Sequence, residues 1–218
     1  MRLSQSRFAV DQHNTVSDKR VNSLNLDGNV ITIVSGLPRS GTSLMMQMLA
    51  AGGMPVLTDG ERQADADNPR GYFEWERAKL LPQQPDCIQE AEDKAVKVIS
   101  QLLFALPAGR EYRIIFMQRP LAEVVASQAE MIRRRGTTGA VLAPAALIAG
   151  LGAHLNQVNA WLRDKANISA CRVEHHDVLR EPLRVSESIQ QFLNLPLDVV
   201  AMSRQIDKSL YRQRGPSS

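Results

Sequence analysis

The chain has 218 residues, of which 44% are hydrophobic and 22% charged, and its formal net charge is +3. That length supports one well-packed domain with at most a small lid, and the ordinary composition excludes a disordered chain or a repeat array. So mild a charge does not point to nucleic acid as a partner, and the two cysteines, Cys87 and Cys171, lack the spacing of metal ligands.

Residues 1 to 28 show no periodicity and read as a flexible N-terminal arm ending in the turn signal Asp27-Gly28, leaving 29–218 as one domain. The arm has no apolar run of the kind that directs secretion, so a cytoplasmic protein is expected. Val30-Ile31-Thr32-Ile33-Val34 is a short β-branched run, the pattern of a strand buried on both faces of a parallel sheet. Gly36 to Gly41 reads as a tight loop and Thr42 to Ala51 as a buried helix that ends at Gly52-Gly53. Residues 54 to 74 read as a long polar loop, which in a compact domain usually carries function. Ala95 to Ile99 and Arg113 to Met117 read as the next strands. Pro120 then opens a helix running from Leu121 to Arg135, whose Arg133-Arg134-Arg135 suits a helix C-terminus.

The uncharged stretch from Thr137 to Trp161 reads as a loop and a soft buried helix, since Pro144 and several Gly interrupt what a membrane span requires. A helical region over 145–166 leads to a strand at Ser169–Glu174, where Cys171 is a small core residue, and then to a helix over Pro182–Leu193. Strands alternating with helices predict an α/β fold: a parallel sheet flanked by helices on both faces, a three-layer sandwich.

Gly36-Leu37-Pro38-Arg39-Ser40-Gly41-Thr42-Ser43 lies between a predicted strand and a predicted helix, with the glycine spacing of a Walker A loop. In that setting successive backbone N–H groups converge on an anion at a helix N-terminus. Two departures are informative. Thr42 stands where the Walker lysine would be, with the cation moved to Arg39, and the strand over 113–117 leads into Gln118-Arg119 rather than an acid. A site for Mg²⁺ and γ-phosphoryl transfer needs both missing parts. The loop suits phosphate but not ordinary ATP hydrolysis.

From about residue 30 onward the chain resembles the sulfotransferases that use 3′-phosphoadenosine-5′-phosphosulfate (PAPS), above all their small bacterial members, which share the P-loop-type fold. Leu37 to Ser43 resembles the family's 5′-phosphosulfate loop, with Arg39 where members carry Lys or Arg beside the transferring sulfonate. Arg119 and Ser127, eight positions apart, are similar to the pair that grips the 3′-phosphate. Lys97 resembles the family's strand lysine at the sulfonate. Two residues on, Ile99 stands where cytosolic small-molecule members carry a catalytic His. His175, in His175-His176-Asp177, replaces an aromatic residue near the adenine, and Arg212 and Arg214 resemble the basic segment that closes over the 3′-phosphate.

The resemblance implies sulfuryl transfer from PAPS to a hydroxyl or amine acceptor, with Arg39, Lys97, loop N–H groups and the hydroxyls of Thr42 and Ser43 stabilising charge and no metal required. With Ile99 in place of His, the general base must come from elsewhere. Protein-tyrosine-type members use a Glu about twenty residues after the loop arginine; the same count from Arg39 reaches Asp59, with Glu61 in reserve and Glu74 third. A P-loop kinase and a non-catalytic nucleotide binder of the same fold are the rival expectations. The acceptor and the oligomeric state are not legible.

Overall fold

The computed structural model describes residues 30–60, 71–135 and 143–206. The expectations for the arm at 1–28, for Glu61, and for Arg212 and Arg214 lie outside the described residues.

Among the described residues, five strands form one parallel sheet: β1 (Val30–Gly36), β2 (Val56–Leu57), β3 (Ala95–Lys97), β4 (Glu111–Gln118) and β5 (Ile168–Glu174), in the order β2-β3-β1-β4-β5. The β-branched run occupies the central strand, where a chain buried on both faces belongs. Successive side chains of β1 serve different cores, because a strand alternates sides. Ile31 and Ile33 join Val96, Ile114 and Phe116 on one face, while Val34 joins Ile115, Met117 and Val173 on the other.

Among the described residues, six α-helices accompany the sheet: α1 (Thr42–Ala51), α2 (Leu121–Arg135), α3 (Pro144–Asp164), α4 (His175–Arg180), α5 (Pro182–Leu193) and α6 (Val199–Ser203). The Ile31 face is covered by Val158 and Leu162 of α3 and by 3-10 helices at Glu76–Leu80, Pro85–Ala91 and Ser100–Ala105. Met45, Met48 and Leu49 of α1, Ile189 of α5 and Met202 of α6 cover the other face. Each fully buried side chain of this size contributes roughly 1.5–3 kcal/mol. Helices on both faces of a parallel sheet make the predicted three-layer sandwich. Among the described residues, no helix is long and apolar enough to cross a membrane.

Several details depart from the sequence expectations. The segment after residue 54 is not all loop, since Val56 and Leu57 form the edge strand β2, too short for any periodicity to register. The strand expected at Ala95–Ile99 ends at Lys97, although Val98 N–H still donates to Val34 O at 3.1 Å. The helix α3 is not buried along its length: only Val158 and Leu162 are, and its small N-terminal residues face outward. The His pair after β5 opens a short helix, α4, that no sequence expectation covered.

Register decides where function can sit. Val34 pairs with both Lys97 and Ile115, Gly36 with Met117, and Gln118 with Glu174. The Gly36–Ser43 loop, Lys97, Arg119 and His175 therefore all emerge at the carboxyl edge of one sheet, the edge where open α/β folds bind ligands.

Candidate functional site

The loop between β1 and α1 is shaped by residues with left-handed backbone. Gly36 has φ of 149°, and a Cβ there would lie 2.5 Å from Ser40 Oγ and 2.6 Å from the Met117 carbonyl oxygen, so no other residue fits. Ser40 N–H donates to Leu37 O at 3.1 Å and closes the turn. Arg39 holds φ of 75°, uncommon outside glycine and of the kind that concentrates at functional sites. Gly41, the N-cap of α1, has φ of 100° and offers no side-chain cap to the first helical N–H groups. Those N–H groups and the positive end of the helix dipole suit an anion.

The sequence-predicted cations converge on this loop. Arg39 Nε donates to Ser127 Oγ of α2 at 2.9 Å, and Arg119 donates from a terminal guanidinium nitrogen to the Arg39 carbonyl at 3.2 Å. The two halves of the expected nucleotide element thus meet at Arg39. Across the loop, Lys97 donates to Ser43 Oγ at 3.4 Å and to the Tyr72 carbonyl, while Ser43 Oγ donates to the same carbonyl at 3.1 Å. Lys97 lies on an interior strand, and its buried ammonium faces the Glu74 carboxylate at 3.5 Å. An ion pair and a carbonyl offset much of the cost of burying that charge.

Asp59, the first choice for a base, is exposed, and its carboxylate accepts the backbone N–H of Glu76 at 2.5 Å. The acid beside Lys97 is Glu74. Phe73 has φ of 51°, an unfavourable conformation for an aromatic residue, between the Tyr72 carbonyl that meets Lys97 and Ser43 and the Glu74 side chain that meets Lys97.

His175 is 8% exposed, and its ring packs so closely on Gly41 that a Cβ there would lie 2.6 Å from Cδ2. It presents little surface to a nucleotide base. Burial and the neighbouring Arg119 and His176 charges push its pKa down to about 4, so the ring is neutral. Burial, with Asp177 nearby, pushes the Glu174 carboxyl up. One group escaped the sequence reading: Glu123, which bonds both Arg119 and His176. Its position four residues after Arg119 was the available signal.

A cavity of about 270 Å³ lies against the loop, lined by Leu37, Ser40, Arg119, Pro120, Leu155 and Glu174 among others. Ser40 Oγ is buried there and has no hydrogen-bond partner among the described residues. A buried hydroxyl in that state, lining a cavity with Arg119 beside the loop that opens α1, fits a phosphorylated ligand. Among the described residues no cluster of three or more His, Cys, Asp and Glu side chains could hold a metal ion.

The fold that carries this site is that of the sulfotransferases. The sulfotransferase STF1 of Mycobacterium tuberculosis superposes with a TM-score of 0.52 at 16% identity, over 82% of this chain and 72% of that one. The sulfotransferase domain from the curacin biosynthetic pathway gives 0.51 at 14% identity, over 87% of this chain and 93% of the other. A mouse sulfotransferase, SULT7A1, solved in complex with PAP gives 0.50 at 15% identity, over 86% of this chain and 66% of its own. No protein-family profile and no curated protein matches the sequence. Likeness at such identities is a likeness of fold.

Proposed function

We propose that the protein is a PAPS-dependent sulfotransferase. The observation that carries the reading is the convergence of Arg39, Ser127 and Arg119 at a glycine-shaped loop opening α1, with Lys97 on the loop's other side. In this reading Arg119 and Ser127 take the 3′-phosphate of the nucleotide, and the loop N–H groups take the 5′-phosphate. Arg39 and Lys97 neutralise the charge that spreads over the sulfonate oxygens during in-line transfer. The acceptor oxygen or nitrogen bonds to sulfur as the bond from sulfur to the 5′-phosphate oxygen breaks. The acceptor's proton passes to a base.

Glu74 is the base this reading favours, because its carboxylate is beside Lys97 whereas that of Asp59 caps the backbone at Glu76. A non-catalytic nucleotide binder is the second reading, motivated by Ile99, which stands 38% exposed where related enzymes carry a His.

The test is a thermal-shift titration with adenosine 3′,5′-bisphosphate beside Mg-ATP, on wild type and Arg119→Ala. Bisphosphate at a hundredfold excess over Kd should stabilise the wild type by about 2.7 kcal/mol, or roughly 5–10 °C for a domain of this size, and the mutant far less. Stabilisation by Mg-ATP alone refutes the sulfonucleotide reading. Bisphosphate binding with no transfer from PAPS to any of a panel of hydroxyl and amine acceptors moves the conclusion to the non-catalytic binder.

A further inference from the structure

Arg119 and Glu123 are among the most buried charges of the chain, with side chains 8% and 5% exposed. Charges so buried persist only when paired and hydrogen-bonded. Arg119 Nε donates to Glu123 Oε2 at 2.9 Å, and its terminal nitrogen donates to the Arg39 carbonyl at 3.2 Å. The guanidinium plane is thus fixed along two edges, by a carboxylate on α2 and by the backbone of the phosphate loop.

The carboxylate has a second partner. His176 of α4 lies with Nε2 3.0 Å from Glu123 Oε1. An ionised carboxylate only accepts, so the ring bonds through its Nε2–H. Glu123 spends one oxygen on the end of β4 and the other on the first turn of α4, and its own N–H is anchored to Pro120 O at 2.9 Å. Nothing in the transfer chemistry requires a carboxylate at an anion site, where a negative charge opposes the ligand. Its geometry accounts for it: a guanidinium recognises phosphate through a planar fork, and the fork discriminates only when its plane is held.

We infer that Glu123 is a positioning residue: it orients Arg119, and through Arg119 it sets the preference for nucleotides that carry a 3′-phosphate. The inference rests on the sulfonucleotide reading and deepens it. The negative charge lowers the net attraction of the site for anions in general while sharpening it for a phosphate in one place.

The test measures Kd for adenosine 3′,5′-bisphosphate and for adenosine 5′-monophosphate by calorimetry. It compares wild type, Glu123→Ala, Glu123→Gln, Arg119→Ala and the Arg119→Ala/Glu123→Ala double variant. Wild type prefers the bisphosphate. Glu123→Ala should lose about tenfold or more of that preference, the value of a hydrogen bond to a charged group, through weaker binding of the bisphosphate alone. Glu123→Gln keeps the shape and guards against a folding failure in the alanine variant. It offers Arg119 a neutral amide oxygen in place of an ionised carboxylate, a weaker acceptor, so it should lose part of the preference. In the Arg119→Ala background Glu123→Ala should change the preference no further, a non-additivity that a merely structural role would not produce.

Folded glutamate variants that keep the wild-type preference overturn the inference, as do independent, additive losses in the double variant. A wild type without preference for the bisphosphate overturns the sulfonucleotide reading itself and the inference with it.

Discussion

Gly41→Ala tests whether the loop is held by the contact between its backbone and His175. The substitution meets two costs that can be separated. Gly41 has φ of 100°, where an L-residue is strained by about 1–2 kcal/mol. The new Cβ would also lie 2.6 Å from His175 Cδ2, and that buried ring can yield only by leaving its rotamer, which costs about 0.5–1.5 kcal/mol. The sum is roughly 1.5–3.5 kcal/mol, or about 3–14 °C in Tm for a domain of this size. Urea unfolding of wild type, Gly41→Ala, His175→Ala and the double variant isolates the steric part. With the ring gone, Gly41→Ala should cost about 1 kcal/mol less, the strain of φ remaining. A neutral Gly41→Ala, or a cost that His175→Ala leaves untouched, would refute the account of why the loop carries glycine there.

Two further predictions concern titration and proton transfer. The His175 pKa of about 4 lies below the ordinary 6.5, so between those values the unfolded chain binds a proton that the folded chain refuses. Stability from this group is therefore intact above about pH 6.5 and is lost progressively as pH falls towards about 4, by about 3 kcal/mol at most. His175→Gln should flatten the fall in unfolding free energy between about pH 7 and pH 4.5; equal slopes in the two proteins would sink the assignment. The opposing contribution of Glu174, whose carboxyl is raised by burial, is common to both and cancels. For the base, Glu74→Gln should cut turnover by roughly a hundredfold or more, the usual worth of general-base catalysis, with bisphosphate binding retained. Asp59→Asn should leave kcat near wild type, and the reverse pattern in stopped-time sulfation assays would return the role to Asp59.

What was legible in the sequence was whatever local spacing determines. The loop could be read because Gly36 and Gly41 are demanded by backbone close approaches, which only glycine allows, and those demands write themselves into the sequence directly. Arg119 and Ser127 were singled out through the family resemblance, whose offset between a strand end and the following helix they keep, since that spacing alone carries no signal; Lys97 stood out because an ammonium in an apolar strand calls for a partner. Glu74 ranked behind Asp59 because counting along the chain measures contour length, while Phe73 at φ of 51° changes the chain's direction immediately before Glu74. The burial of His175 was hidden for a similar reason: Gly41 and His175 touch only after β1, β4 and β5 align in register. A two-residue strand such as β2 has no periodicity to detect, and the helix at His175–Arg180 follows a strand without a break in composition.

The charge pattern of the site ties these elements together. Arg39, Lys97 and Arg119 all lie around one loop, where mutual repulsion would strain the fold if each charge stood alone. Lys97 instead faces Glu74 and Arg119 faces Glu123, while Arg39 leans on a neutral hydroxyl. The two compensated cations are the buried ones, and Arg39, half-buried on the loop, meets no carboxylate among the described residues and is the one that solvent screens. That asymmetry gives the site a direction. The strongest uncompensated pull on an anion lies at Arg39, beside the helix N-terminus, and the paired cations on either side act through geometry more than through net charge. In the sulfotransferase reading the uncompensated cation sits at the group that transfers, where charge develops, and one paired cation holds the part of the nucleotide that must not move.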